Sequence, residues 1–493
     1  MKFTNAPLAA ALLPVVAAQT KPCHPPVDSD KLQELIKSDA LMKNLEVLND
    51  IAYANGGHRA FGFPGYAASV DYIYGELEKL KGFEIRKQDF PALFVETTAK
   101  EFSVDGEVFR SVGLTYSPST SAEGVDLPIV HAPTGPAGCA AANYAAQNID
   151  AKGKIVLVER GVCPDQTTFA GKLKAAAAAG AAAVAIYNSD PAQLTAGSLS
   201  LPNPVEYVPA LLIDQGPGRA IKARLDAGEA VTAHFQITQL IEERITQNVI
   251  AETKGGDASN VVMVGAHLDS VQAGPGINDD GSGTTLILEL AKALSRFSTN
   301  LKVRFAWWGA EENGLWGSKF YVNNMTSAEV DNLLLYVNFD MVSRGFFGVF
   351  DGDGADVGPG GAPGSEAIEK LFLDHFESEG VETRPVGLTG GTDYVPFQQV
   401  IKKPVGGLFT GTGAEQDACY HQACDNIDNP NPETLFTNAK AAAHVISVLA
   451  TDGVELVPKT LVNSTSFAAM REIRDEGLHV HLESMKACDH DII

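Results

Sequence analysis

Positive charge, cysteine and long apolar runs are all scarce in this chain of 493 residues. Only 37 lysines and arginines stand against 61 aspartates and glutamates, a formal net charge of −24. Nucleic acid and anionic membranes both reward basic patches, so neither is expected as a partner. The N-terminal apolar run, Ala6 to Ala18, is too short to span a bilayer, and no later run is long enough. Following Met1-Lys-Phe-Thr, with Val16 and Ala18 suited to the −3 and −1 positions, it reads as a secretory signal over residues 1–18. The chain is therefore expected to be secreted, with a vacuole as the alternative, and not anchored.

The six cysteines include no Cys-x-x-Cys pair, which disfavours thiolate zinc sites. In an exported protein they are expected as disulfides. The expected pairs are Cys419–Cys424, Cys139–Cys163 and Cys23–Cys488, although sequence alone leaves other pairings open. Asn324-Met-Thr326 and Asn463-Ser-Thr465 are glycosylation acceptors in such a compartment.

What is present is apolar material for a large core: 45% of residues are hydrophobic. Residues 30–85 carry apolar side chains at helical spacing, broken at Gly56-Gly-His-Arg59, where His58 and Arg59 read as surface-loop residues. From about Glu96 to Thr238, alanine, glycine and proline become dense. Short strands such as Lys154–Glu159 and Ala183–Asn188 flank an alanine-rich helix from Phe169. This segment has no cluster of histidine with carboxylates, so packing or substrate access is its expected role. After Gln247 strands and helices alternate, which implies a largely parallel sheet between helices. The expected divisions are a signal peptide (1–18), a split α/β domain (19–110 and 239–457), an insert (111–238) and a tail (458–493).

The stretch Val261-Val-Met-Val-Gly-Ala-His-Leu-Asp269 organises the second half. A β-branched run reads as a buried strand, and its C-terminal end, carrying His267 and Asp269, is where open α/β sheets bind ligands. The same placement recurs. Asn278-Asp-Asp280 lies in a glycine-rich turn, Glu311-Glu312 follows Phe305-Ala-Trp-Trp-Gly-Ala, and Asp340 follows Val337-Asn-Phe. His421 sits between Cys419 and Cys424. Adjacent carboxylates after a buried strand repel each other and resist burial, and a cation removes both penalties.

Taken in order, Ala266-His-Leu-Asp-Ser-Val271, Gly276-Ile-Asn-Asp-Asp-Gly-Ser-Gly283, Ala310-Glu-Glu312, Asn338-Phe-Asp-Met341 and Cys419-Tyr-His-Gln-Ala-Cys-Asp425 make the chain resemble the secreted and vacuolar di-zinc aminopeptidases of bacteria and fungi. The middle segment resembles a protease-associated domain. The resemblance implies a zinc-exopeptidase α/β fold with that β-rich domain inserted, and peptide substrates; a monomer is expected, although sequence alone does not fix the oligomeric state. It implies two zinc ions, one at His267 and one at His421, with Asp279 bridging and Asp340 and Glu312 each binding one. Glu311 would be the general base, acting on a hydroxide held between the metals, and Tyr420 would donate to the oxyanion. Asp269 would fix the His267 tautomer. Met341, Gly390 and Phe409 match positions lining a pocket for Leu-like residues, although Met341 and Phe409 also read as core.

Two departures bear on specificity. Relatives often carry Gly-Arg-Ser-Asp-His where this chain has Gly390-Gly-Thr-Asp-Tyr394, and the segment from Phe409 to Cys419 is shorter. A metallocarboxypeptidase of the same fold is the nearest rival, yet these loops hold no arginine cluster for a substrate carboxylate. A binding protein with a dead site is the rival from another class, yet all five ligand positions are filled.

Overall fold

The computed structural model describes residues 24–460, apart from 165, 166, 192, 194, 195 and 200. The expected signal peptide, Cys23, Cys488, Asn463 and nearly all of the tail lie outside the described residues. No described helix is long and apolar enough to cross a membrane.

Four parallel strands form the centre of the peptidase sheet. In spatial order they are Leu301–Trp308, Asp257–His267, Leu333–Phe339 and Val405–Phe409. Register places Trp308 beside His267 and Asn338 beside Gly265, so the chain leaves neighbouring strands at one end of the sheet. Their apolar residues are buried on both faces, as helix-covered parallel strands require. The helix Ser282–Leu294 is buried at every position but Lys292, which pairs with Glu76 and Glu289. The helix Pro432–Leu456 covers it; Asn431 caps it by accepting from the amides of Glu433 and Thr434, with proline at the first turn.

Two edge strands extend the sheet beyond Phe409. Phe347–Phe350 pairs antiparallel with Val405–Phe409 and parallel with Thr383–Val386. On the other side, Thr232–Thr253 runs antiparallel to Leu301–Trp308 and pairs along its length with Phe83–Val104. Each of these two strands is 22 residues long, well beyond the short strand segments the sequence suggests at Glu84–Phe90 and Val249–Glu252. The middle of the ribbon serves as a stem: residues 238–245 hold no buried side chain, whereas beyond them Ala233, Phe235 and Ile237 are buried in alternation.

The insert sits at the end of this stem. Val125–His131 pairs with Thr232–Thr253 and begins a parallel set with Ile155–Glu159, Ala183–Tyr187 and Ala210–Ile213, edged by Ser111–Gly113. The helices Ala170–Ala178 and Gln215–Asp226 pack beside it. Cys139–Cys163 closes as a disulfide in this domain, and Cys419–Cys424 closes in the peptidase. Asn324 is exposed at the end of the helix Trp316–Asn323.

One sequence expectation is overturned. Arg59 is not a surface residue: its exposure is 0%. Its guanidinium donates to the carbonyls of Pro275 at 2.9 Å and Gly276 at 2.5 Å, and also to that of Leu268. A planar five-donor fork suits several converging carbonyls, which lets a cation lie in the interior.

Candidate active site

The ends of the parallel strands converge on a cavity of about 300 Å³. His267, Asp279, Glu311, Glu312, Asp340, Tyr420 and His421 all line it. Two groups separate around Asp279. His267 Nε2 lies 3.1 Å from Asp279 Oδ1 and 3.5 Å from Asp340 Oδ1. His421 Nε2 lies 3.1 Å from Asp279 Oδ2 and 3.0 Å from Glu312 Oε2. One carboxylate thus turns an oxygen to each imidazole, and each imidazole has a further carboxylate of its own.

Buried backbone contacts hold this array. Asp280 does not face the cavity. Its carboxylate accepts from the amides of His267, Gly283 and Met341, tying three chain segments together. A side chain at Gly283 would meet the Phe339 carbonyl at 2.0 Å, so glycine is required where the helix start passes beneath that strand. Asp425 accepts from the amides of Asn278 at 2.8 Å and Asp279 at 3.0 Å. Asn278 in turn accepts from Ser343 and donates to Asp417, joining the loops that bear Asp279, Asp340 and His421.

Asp269 is placed differently from its expected contact. Its Oδ1 is 3.8 Å from His267 Nδ1, too long for a hydrogen bond, and that nitrogen lies 3.1 Å from the Asp269 carbonyl oxygen instead. The carboxylate is occupied by the amides of Glu311 and Glu312.

The electrostatics are those of acids crowded out of water. Burial lifts the pKa of Glu311 well above the carboxylate range, helped by Asp393, Glu312 and Asp340. Burial likewise raises Glu312. Burial opposes charge on His421, yet Glu312 and Asp279 outweigh it and raise the ring to about 10. Burial also keeps the Tyr420 hydroxyl protonated far above neutrality, and its ring stacks on His421 at 3.8 Å between centroids.

The array fits cations. Glu312 Oε1 is buried without a hydrogen-bond partner, and so is Asp279 Oδ2, which is near His421 Nε2 but not aligned with it. Imidazole nitrogens and carboxylate oxygens are the donors that zinc takes. Two doubly charged ions against the three carboxylates of Asp279, Glu312 and Asp340 would leave a small positive excess.

The rest of the cavity is largely apolar. Met341 and Phe409 line it, joined by Phe350 and Val386 from the edge strands. Gly391 and Thr392 line it too, whereas Gly390 stands behind them, its amide donating to the Tyr394 hydroxyl at 2.9 Å. Thr392 donates to Asp340 Oδ2 and accepts from Asn338 at 3.0 Å. Phe350 and Val386 carry no motif. Only the antiparallel edge brings them here, and sequence reasoning missed both.

Two imidazoles at this end of a parallel sheet, with one carboxylate shared between them and a further carboxylate for each, define a metal-dependent hydrolase of the α/β class. Residues 248–446 match the model of Peptidase family M28, and residues 125–221 match the PA domain. The chain is 38% identical to Leucine aminopeptidase 2 of Trichophyton rubrum over 464 residues, 89% of this chain and 90% of that protein. An aminopeptidase from Aneurinibacillus sp. strain AM-1 superposes with a TM-score of 0.71 at 26% identity, over 88% of this chain and 98% of that one. BSAP, a zinc aminopeptidase from Bacillus subtilis, gives 0.65 at 25% identity, over 87% and 97%. The chain belongs to peptidase family M28, with a PA domain inserted in its peptidase domain.

Proposed function

We propose that this chain is a secreted aminopeptidase that uses two zinc ions to remove N-terminal, preferably Leu-like, residues from peptides. Zinc aminopeptidase activity follows from the family and from the relatives that share it. The number of ions, the residue roles and secretion are the proposal. The observation that carries it is Asp279, with one oxygen toward His267 and the other toward His421.

In this reading His267, Asp279 and Asp340 would hold one ion, and His421, Asp279 and Glu312 the other. Bound there, the ions would polarise the scissile carbonyl and acidify the attacking water. Glu311 stands in the same cavity without a place in either ligand group. From there its carboxylate would take a proton from the attacking water and return it to the leaving amine. The Tyr420 hydroxyl, kept protonated by burial, would donate to the developing oxyanion. Met341, Phe350, Val386 and Phe409 would receive the first side chain, and the buried carboxylates would attract the substrate's α-amine.

Glu311→Gln and Glu312→Gln test the two roles. Glu311→Gln should retain its zinc and lower kcat by at least about two orders of magnitude. Glu312→Gln should lose metal, and excess zinc should restore part of its activity. Zinc loss in Glu311→Gln with retention in Glu312→Gln would reverse the assignment. Cleavage of N-acetylated peptides as fast as free-amine peptides would overturn the exopeptidase reading.

A further inference from the structure

The loop carrying Glu311 and Glu312 is held at both ends, and one of the two holders comes from the inserted domain. On the peptidase side, Asp269 accepts from both glutamate amides. On the other side the loop turns back on itself. The Glu311 carbonyl accepts from the amides of Gly314 and Leu315, each at 2.8 Å, while Ala310 and Leu315 adopt φ of 55° and 61°. That leaves the Asn313 carbonyl pointing away from the loop, and Tyr116 donates its hydroxyl hydrogen to it at 2.9 Å. The same hydroxyl accepts from Trp316 Nε1 at 3.2 Å.

Tyr116 belongs to the insert. Its ring is 1% exposed and packs in a core with Leu114, Tyr144, Val156 and Leu173. Its neighbours are bonded within the insert too: the Thr115 amide to Gly197, and Ser117 Oγ as acceptor for the Ala210 amide. Tyr116 itself has φ of 72°, a conformation that is costly for a side chain of this size. The strained residue thus directs its polar atom out of one domain's core and onto a catalytic loop of the other.

We infer that Tyr116 is a positioning residue for the peptidase reaction, through which the inserted domain fixes the Glu311–Glu312 loop. It touches neither substrate nor metal, and it acts through the placement of Glu311. The inference rests on the reading of Glu311 as general base.

Tyr116→Phe keeps the ring and removes the bond. In the full chain loaded with zinc, kcat on a leucine chromogenic amide should fall about fivefold, the usual worth of one hydrogen bond. KM and zinc content should stay at the parent values, with the melting temperature lowered by no more than about 5 °C. In a Glu311→Gln background the same change should have no further effect on kcat, because the group it positions is already gone. An unchanged kcat in Tyr116→Phe overturns the inference, and so does an equal drop in both backgrounds. A Tyr116→Phe chain that fails to load zinc or to fold makes Tyr116 a residue of the fold and overturns it as well. If Glu311→Gln alone keeps the parent kcat, the base assignment fails and carries this inference with it. If Glu311→Gln collapses kcat while Tyr116→Phe is silent, only the inference fails.

Discussion

Asp269 grips Glu311 by the backbone: Asp269 Oδ1 accepts from the Glu311 amide at 3.0 Å, and its second oxygen accepts from Glu312 at 3.3 Å. With 0% exposure, that carboxylate sets where two neighbouring side chains with different proposed roles begin.

Asp269→Asn should therefore act on the rate. An amide offers only one acceptor oxygen, so one loop N–H is left buried facing a second donor. We expect kcat to fall about tenfold or more, since an unsatisfied buried donor costs roughly 1–3 kcal/mol. Zinc content should stay at the parent value. Metal analysis beside steady-state kinetics checks this, and metal loss in step with activity would count against it.

Arg59 should matter to stability more than to chemistry. Arg59→Met removes the donors to Leu268, Pro275 and Gly276 together. The melting temperature should drop by roughly 5 °C or more. Arg59→Lys should not rescue it, because a single ammonium cannot span three converging carbonyls. A melting temperature within a degree of the parent for either variant would contradict this account.

These two residues show what the sequence could and could not tell. His267, Asp279, Glu311, Glu312 and Asp340 were legible because each follows an apolar strand or a glycine turn within a few residues, a local signal. Arg59 was not. Its partners lie more than 200 positions away, and an arginine after Gly-Gly-His resembles any polar break. Phe350, Val386 and Tyr116 were hidden for the same reason, since the edge pairings and the domain contact that bring them to the site leave no mark on neighbouring residues. The length of the stem is illegible because its solvent-exposed middle, residues 238–245, breaks the alternation that marks a strand.

The Cys419–Cys424 disulfide should serve geometry. The paired residues are five positions apart, and so short a loop contributes only about 2 kcal/mol by chain entropy. Between them His421 is held at φ of 57°. A Cys419→Ser, Cys424→Ser double variant should melt within a few degrees of the parent, yet lose zinc more readily on dialysis and turn over more slowly. Unaltered zinc retention would show that the loop needs no clasp.

His131 should make the insert sensitive to acid. Burial, with Lys222 and Lys172 nearby, outweighs Asp226 and lowers the pKa of His131 from its usual 6.5 to about 4. Between those values the unfolded chain binds a proton that the folded domain refuses, so the contribution of His131 to stability is present above pH 6.5 and lost as pH falls toward 4. Thermal melts of the parent and of His131→Gln at pH 7.5 and pH 5 check the sign. The parent should lose more melting temperature on acidification, and equal losses would refute it.

The stem has a topological consequence. Val104 and Ala233 are paired across it, so the chain leaves the peptidase sheet and re-enters it at adjacent points. To the peptidase, everything between them amounts to one overlong hairpin turn, with no net displacement of the backbone at its base. A genetic event that added or removed such a module would leave the order and direction of the peptidase strands unchanged. Lineages could thus exchange the module in a single step, with selection acting afterwards on the few side chains that cross the junction.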